Sequence, residues 1–252
     1  EPQAGSDASN LKTRAARTNA GWRVNGSKQF ISSARIGATT VLFAVTDPEK
    51  GKKGISCFVT ANQAPGFEIV RVENKLGQKA SDSCALAFTD LDIAQEQLIG
   101  EEGEGYKIAL SSLEAGRIGI AAQAAGLAQA AYERALAYAK ERTAFGKPIF
   151  ELQAVQFRLA EMATDLEAAR QLVLNAAAMK DRGEPCLKEA CMAKLFAAQA
   201  AERVTSEAIQ VLGGYGYLAD YEVERLYRDQ KVCQIYEGTN DIQKLIIARQ
   251  IA

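Results

Sequence analysis

The sequence predicts an α+β protein in two parts, an antiparallel β-barrel or sandwich over residues 1–102 followed by a helical bundle of the four-helix type over residues 103–252. Three observations carry this. Up to about residue 100, β-branched or alternating runs are separated by turn dipeptides at roughly ten-residue spacing. After Gly103-Glu104-Gly105 the composition shifts to Ala, Leu, Glu, Gln and Arg, and apolar residues recur at helical intervals. A chain of 252 residues is also long enough for two domains, each with its own core.

In the first part the predicted strands are Trp22 to Val24, Gln29 to Ile31, Val41 to Val45, Ile55 to Val59, Phe67 to Val72 and Cys84 to Phe88. Asn25-Gly26 separates the first two and reads as a hairpin turn, because both residues accept positive φ. Asp47-Pro48 and Pro65-Gly66 punctuate later loops. In the second part Tyr106, Ala109, Leu110 and Leu113 mark one amphipathic helix, and Leu152, Val155, Leu159, Met162 and Leu166 mark another. Breaks fall at Gly146-Lys147-Pro148, Gly183-Glu184-Pro185, Gly213-Gly214-Tyr215-Gly216 and Tyr236-Glu237-Gly238-Thr239, leaving four or five helices. The last is predicted to start near Thr239 and run to the end.

Composition narrows the chemistry. The chain contains no histidine, which excludes Ser-His-Asp and Cys-His nucleophile systems, His-ligated metals and a histidine general base. Acid–base work falls to carboxylates, Lys, Tyr or Cys. Five cysteines without a Cys-x-x-Cys pair indicate neither a disulfide framework nor a zinc site, so they read as reduced, mostly buried thiols, and no metal is expected. Thirty basic against 31 acidic residues give no electrostatic reason to expect nucleic acid or a membrane surface as partner. No apolar run reaches membrane-spanning length, and the start, which lacks Met, a basic region and an apolar stretch, supports no targeting assignment.

Nucleotide fingerprints are nearly absent. Gly21 to Lys28 has P-loop glycine spacing, but Ser27 and Lys28 are in the wrong order and the segment reads as strand and turn. No Gly-x-Gly-x-x-Gly follows a strand. More suggestive is Ile235-Tyr236-Glu237-Gly238-Thr239-Asn240-Asp241-Ile242, where a carboxylate sits on a break before a helix. Thr239 suits the helix cap, Asp241 the helix dipole, and the free N–H groups a ligand. Taken alone, Glu237 is read more simply as solvating a connection. Gln210 to Tyr217, with Gly213 and Gly214, is either a close backbone approach to a flat ligand or a glycine helix cap. Arg142, followed by Phe145 and then Gln153, either meets an anion or complements a helix C-terminus.

Together and in this order, these segments resemble the acyl-CoA dehydrogenase flavoproteins, most closely the short-chain (butyryl-CoA) type. The marks are Glu1-Pro2-x-Ala4-Gly5-Ser6-Asp7, Lys28-Gln29-Phe30-Ile31-Ser32, Gly116-Arg117-Ile118-Gly119, Arg142-x-x-Phe145-Gly146, Gln210-x-Leu212-Gly213-Gly214 and Tyr236-Glu237-Gly238-Thr239. The resemblance spans the whole chain and corresponds to the family's middle β domain and C-terminal bundle; the family's N-terminal helical domain, which helps to wall the acyl pocket, is absent here.

The resemblance implies dehydrogenation of a short acyl-CoA to trans-2-enoyl-CoA, with FAD taking a hydride at flavin N5 and electron transfer flavoprotein as the next carrier. It implies a homotetramer, a dimer of dimers; the compartment stays open, since a bacterial cytoplasm and a mitochondrial matrix both suit the reduced cysteines. Glu237 matches the α-proton base. Relatives that place the base before the arginine matched by Arg117 have a carboxylate where this chain has Gly116, so the role stays with Glu237. Glu114 reads as a pocket or solvated residue. Phe30, Ile31 and Ser32 match the segment beside the isoalloxazine, with Phe30 and Ser32 standing where most relatives have Trp and Thr. Gly5 and Ser6 match a turn near flavin and thioester. Arg142, Phe145, Gln153, Gln210, Gly213 and Gly214 match positions holding the FAD pyrophosphate and adenine, continued by Thr239, Asn240 and Asp241. Ser6, Arg117, Tyr236 and Gly238 match positions against the acyl-CoA. A glutaryl-CoA-type decarboxylating dehydrogenase, an acyl-CoA oxidase and a catalytically silent assembly fragment remain the alternatives.

Overall fold

Alternating inward-facing residues between Arg14 and Ile99 fold the first part into one seven-stranded sheet. The strands are β1 Arg14–Thr18, β2 Gly21–Ser32, β3 Thr39–Val45, β4 Ile55–Ala61, β5 Phe67–Val72, β6 Ser83–Ala94 and β7 Leu98–Ile99, in spatial order β5-β6-β2-β1-β3-β4-β7. All pairs are antiparallel except β1 with β3, which meet in parallel at Arg14 and Val45. Trp22, Val24, Leu42, Phe58, Leu86, Leu91 and Ile93 form its buried face, with the Trp22 and Phe58 rings edge-on at 5.0 Å. The computed structural model describes residues 1–252 and falls into two units, Glu1–Ser112 and Leu113–Ala252.

Asn25-Gly26 is not a hairpin. β2 runs through it without turning, and the residues expected as two strands are one. The chain reverses earlier, between Thr18 of β1 and its partner Gly21 of β2. Asn25-Gly26 instead forms an irregularity in the pairing with β6, between Val24 and Gly26. Both residues have a local reason to be there. The Asn25 side chain donates to Asp90 Oδ1 at 3.1 Å and accepts from Asp90 N at 2.9 Å. At Gly26 a Cβ would lie 2.5 Å from Thr13 Oγ1, so only glycine allows the approach. The P-loop-like glycine spacing of residues 21–28 lies along this strand.

The helical part contains α1 Gly105–Glu141, α2 Gln153–Asp181, α3 Leu187–Leu212, α4 Val223–Gln230 and α5 Asn240–Gln250. A two-residue ribbon, β8 Thr143–Ala144 with β9 Lys147–Pro148, occupies the first predicted break. The compact division at Ser112–Leu113 falls inside α1, ten residues after the composition changes. Within the second unit α1 buries Ala121, Ala124, Ala128, Ala131, Ala135 and Ala139, and α3 buries a similar alanine stripe. Alanine at this spacing gives each helix a smooth inner face, so neighbouring backbones approach closely. All five cysteines are free and buried, and no helix is long and apolar enough to cross a membrane.

Candidate active site

Four segments of the second unit converge on Glu237. The residue follows a short helical turn at 231–234 and precedes α5, and it takes a left-handed conformation with φ 56°. Such a conformation costs a non-glycine residue about 1–2 kcal/mol, so the surroundings must impose it. Gly238 continues the turn with φ 85°, where glycine fits at no such cost. Thr239 then caps α5, its hydroxyl accepting from Ile242 N at 3.3 Å. The outcome is a carboxylate seated on α1 over Gly116. A Cβ at position 116 would lie 2.6 Å from Glu237 Oε2 and 3.0 Å from its Cδ, so the missing side chain makes the seat.

Two cations face this carboxylate, Arg117 from α1 and Lys194 from α3, both buried. Burial raises the Glu237 pKa, while the Arg117 and Lys194 charges oppose the rise without cancelling it. Lys194 is fully buried and donates to Gly238 O at 2.9 Å and Asn240 Oδ1 at 3.2 Å. Desolvation pushes its pKa down to about 8. Gln243, also fully buried, donates to Glu237 O at 3.1 Å and Gly238 O at 2.8 Å. Tyr236 points its hydroxyl away, donating to Gln123 Oε1 at 2.7 Å, and burial raises its pKa. Glu114 is not a free pocket carboxylate: it pairs with Lys180 at 2.7 Å and accepts from the Cys186 thiol.

A second feature of this unit is a cavity of about 420 Å³ lined by Tyr138, Arg142, Leu212, Gly213, Gly214 and Tyr215, among others. The Arg142 guanidinium rests 5.6 Å over the Tyr215 ring, exposed to solvent. A Cβ at Gly213 or Gly214 would meet nothing within 4 Å, so this wall is open. One cation, a bare backbone and aromatic faces fit a phosphate-linked aromatic group such as the adenine end of FAD. Phe145 is 91% exposed at the ribbon, Gln153 opens α2 and Gln210 lies near the end of α3, all solvent-facing. Asp241 pairs with Lys244 at 3.1 Å on the exposed side of α5.

The remaining predicted residues lie in the first unit. Gly5 and Ser6 sit in an exposed bend. Phe30 occupies a second irregularity in the β2–β6 pairing, between Lys28 and Ile31, with φ 57° and 71% of its surface exposed. Ile31 and Ser32 pair with Cys84 and Ser83. An exposed ring held on a distorted strand end fits a stacking surface for a flat ligand, with Ser32 two residues further along the strand.

A family model described as "Acyl-CoA dehydrogenase, middle domain" matches residues 1–91, and one described as "Acyl-CoA dehydrogenase, C-terminal domain" matches residues 103–252. The chain belongs to the acyl-CoA dehydrogenase family. An acyl-CoA dehydrogenase of Bacillus subtilis is 49% identical over all of this chain and 66% of its own length. Acryloyl-CoA reductase (NADH) of Anaerotignum propionicum is 46% identical, again over the whole chain and 64% of its own. The solved structure of butyryl-CoA dehydrogenase from Megasphaera elsdenii superposes with TM-score 0.97 at 44% identity, covering all of this chain and 66% of that one. The chain therefore spans slightly less than two thirds of these acyl-CoA dehydrogenase relatives.

Sequence reading did not find Lys194, Gln243 or Gln123 as parts of the site. A signal for Lys194 was present, because it falls among Ala190, Ala193, Ala197 and Ala201, a helical phase that is apolar throughout. A lysine in such a stripe is buried with partners of its own or is misassigned.

Proposed function

We propose that this chain carries the flavin-facing and catalytic parts of an FAD-dependent dehydrogenase of short acyl-CoA thioesters, forming the trans-2-enoyl-CoA. The observation that carries the reading is the Glu237 carboxylate seated over side-chain-free Gly116, with burial raising its pKa. Glu237 removes the α-proton. Desolvation makes the carboxylate a stronger base, and the fixed turn aims it before substrate arrives. FAD, when bound, supplies the acceptor for the hydride leaving the β-carbon. Arg142, with Gly213 and Gly214, holds the pyrophosphate and adenine; Phe30, Ile31 and Ser32 flank the isoalloxazine; Gly5 and Ser6 approach the thioester side. Arg117, Tyr236 and Gly238 frame the acyl group. Electron transfer flavoprotein receives the electrons, and the working form is a homotetramer.

The test is the visible spectrum of the full-length protein with FAD, before and after anaerobic addition of butyryl-CoA. The oxidised-flavin band is expected to bleach. Glu237→Gln is expected to keep bound flavin yet lose bleaching, and near-normal bleaching in that variant overturns the base assignment. The reductase relative supports a second direction of the same chemistry, in which Glu237, protonated, returns a proton to the α-carbon of a 2-enoyl thioester. Turnover of an enoyl-CoA with a reduced electron donor, faster than the forward reaction, favours that direction.

A further inference from the structure

Resting on Glu237 as the base, we propose that Lys194 is its positioning residue: through Gly238 O and Asn240 Oδ1 it holds the turn that seats Glu237, and its charge tunes the carboxylate. Neither Lys194 nor Gln243 need touch substrate to act. Their donors converge on two consecutive carbonyls, those of Glu237 and Gly238, at 2.8–3.1 Å. These carbonyls belong to the two left-handed residues, so the bonds fall where the backbone needs holding. The grip comes from two elements, α3 through Lys194 and α5 through Gln243, while α1 supplies the seat at Gly116.

The two donors differ in one respect. Gln243 is neutral, whereas Lys194 also carries a charge that favours the ionised form of Glu237. The titratable groups acting on Lys194 are Arg117 from α1, Cys191 on α3 itself, Cys233 in the 231–234 turn, and Glu237. α5 contributes only the uncharged Asn240 and Gln243. With burial bringing the ammonium down to about 8, Lys194 remains mostly charged at neutral pH, but its charge is within reach of modest alkali. A lysine kept buried only for packing has no reason to influence the pH profile of the reaction.

The experiment is the pH dependence of flavin reduction by butyryl-CoA in single turnover, using the full-length holoenzyme and the variants Lys194→Met, Gln243→Leu and Glu237→Gln. Lys194→Met is expected to bind FAD and fold, because an apolar chain of similar volume suits a buried lysine site. Its reduction rate is expected to fall by about tenfold or more, since small displacements of a reacting group are costly. Its acid limb is expected to move to higher pH, because Glu237 loses a cation that favours its ionised form. Gln243→Leu is expected to slow reduction while leaving the acid limb in place. If Lys194→Met does not fold, Lys194→Gln carries the same two expectations. An unchanged rate and acid limb in the lysine variant overturn the proposal while Glu237→Gln stays inactive, which leaves the base assignment intact. A slowed rate with an unmoved acid limb overturns the charge role. Full activity in Glu237→Gln overturns both.

Discussion

Gly116→Ala is the smallest change that separates the seat of Glu237 from the fold. The added methyl would lie 2.6 Å from Oε2, against ordinary contact beginning at 3.4 Å, so the carboxylate must withdraw by 3.4 − 2.6, about 0.8 Å. The atom in the way is the far end of a flexible side chain, so the fold loses little by yielding. Position 116 lies inside α1, where replacing glycine by alanine stabilises a helix by about 0.5–1 kcal/mol. For a chain of this size that corresponds to roughly 2 °C in Tm. The carboxylate proposed as the base, however, leaves its position, and displacement on the order of 1 Å can cost about a hundredfold in rate. Stability and activity are therefore expected to move in opposite directions. Stopped-flow bleaching of bound FAD by butyryl-CoA, alongside a thermal melt, reads both. A variant that melts no lower and reduces its flavin at the wild-type rate refutes the seat.

Two further outcomes follow from the same geometry. Arg142→Ala is expected to weaken FAD retention by about tenfold to a hundredfold, the worth of a charge-assisted phosphate contact, and unchanged affinity in a fluorescence titration removes the pyrophosphate role. Glu237→Gln is expected to raise Tm relative to the native protein at neutral pH and to lose that advantage as pH falls below the ordinary carboxylate range; equal differences at pH 4 and pH 7 contradict the burial argument. The sign follows from a folded-state pKa raised by desolvation: the native protein loses stability as pH rises from the unfolded to the folded pKa, and Gln at this position does not.

The helices were legible because clustered Gly and Pro residues, which weaken or stop an α-helix, stand at their boundaries. Gly146 to Pro148, Gly183 to Pro185 and the 213–216 glycines each end or separate a helix where expected. β1 was not legible, since Arg14-Ala15-Ala16-Arg17-Thr18 has neither β-branched runs nor strict alternation; its place comes from pairing with β2. Asn25-Gly26 misled for a related reason. The dipeptide is compatible with a hairpin, but cross-strand bonds to Asp90 and the approach of Thr13 decide otherwise, and neither is local in sequence. At the site, Glu237 stood out by its neighbours in the chain, whereas Lys194 and Gln243 matter through carbonyls 44 and 5 residues away. Hydrogen bonds of that kind leave only the trace seen at Lys194, a polar residue in an apolar phase.

The charge balance around Glu237 answers a requirement that burial alone cannot meet. A carboxylate intended to take a weakly acidic α-proton gains from desolvation, because an unhydrated anion is a stronger base. Carried to its limit, the same desolvation would leave the group protonated at neutral pH and useless until it ionised. Arg117 and Lys194 work against that limit, keeping the ionised form accessible while burial still sets the direction of the shift. Lys194 is itself held with a pKa lowered to about 8, so it opposes protonation of Glu237 while it stays charged at neutral pH and stops doing so in modest alkali. Removing either cation is thus expected to make the base intrinsically stronger but less often available, a slower enzyme at neutral pH that recovers part of its rate as pH rises.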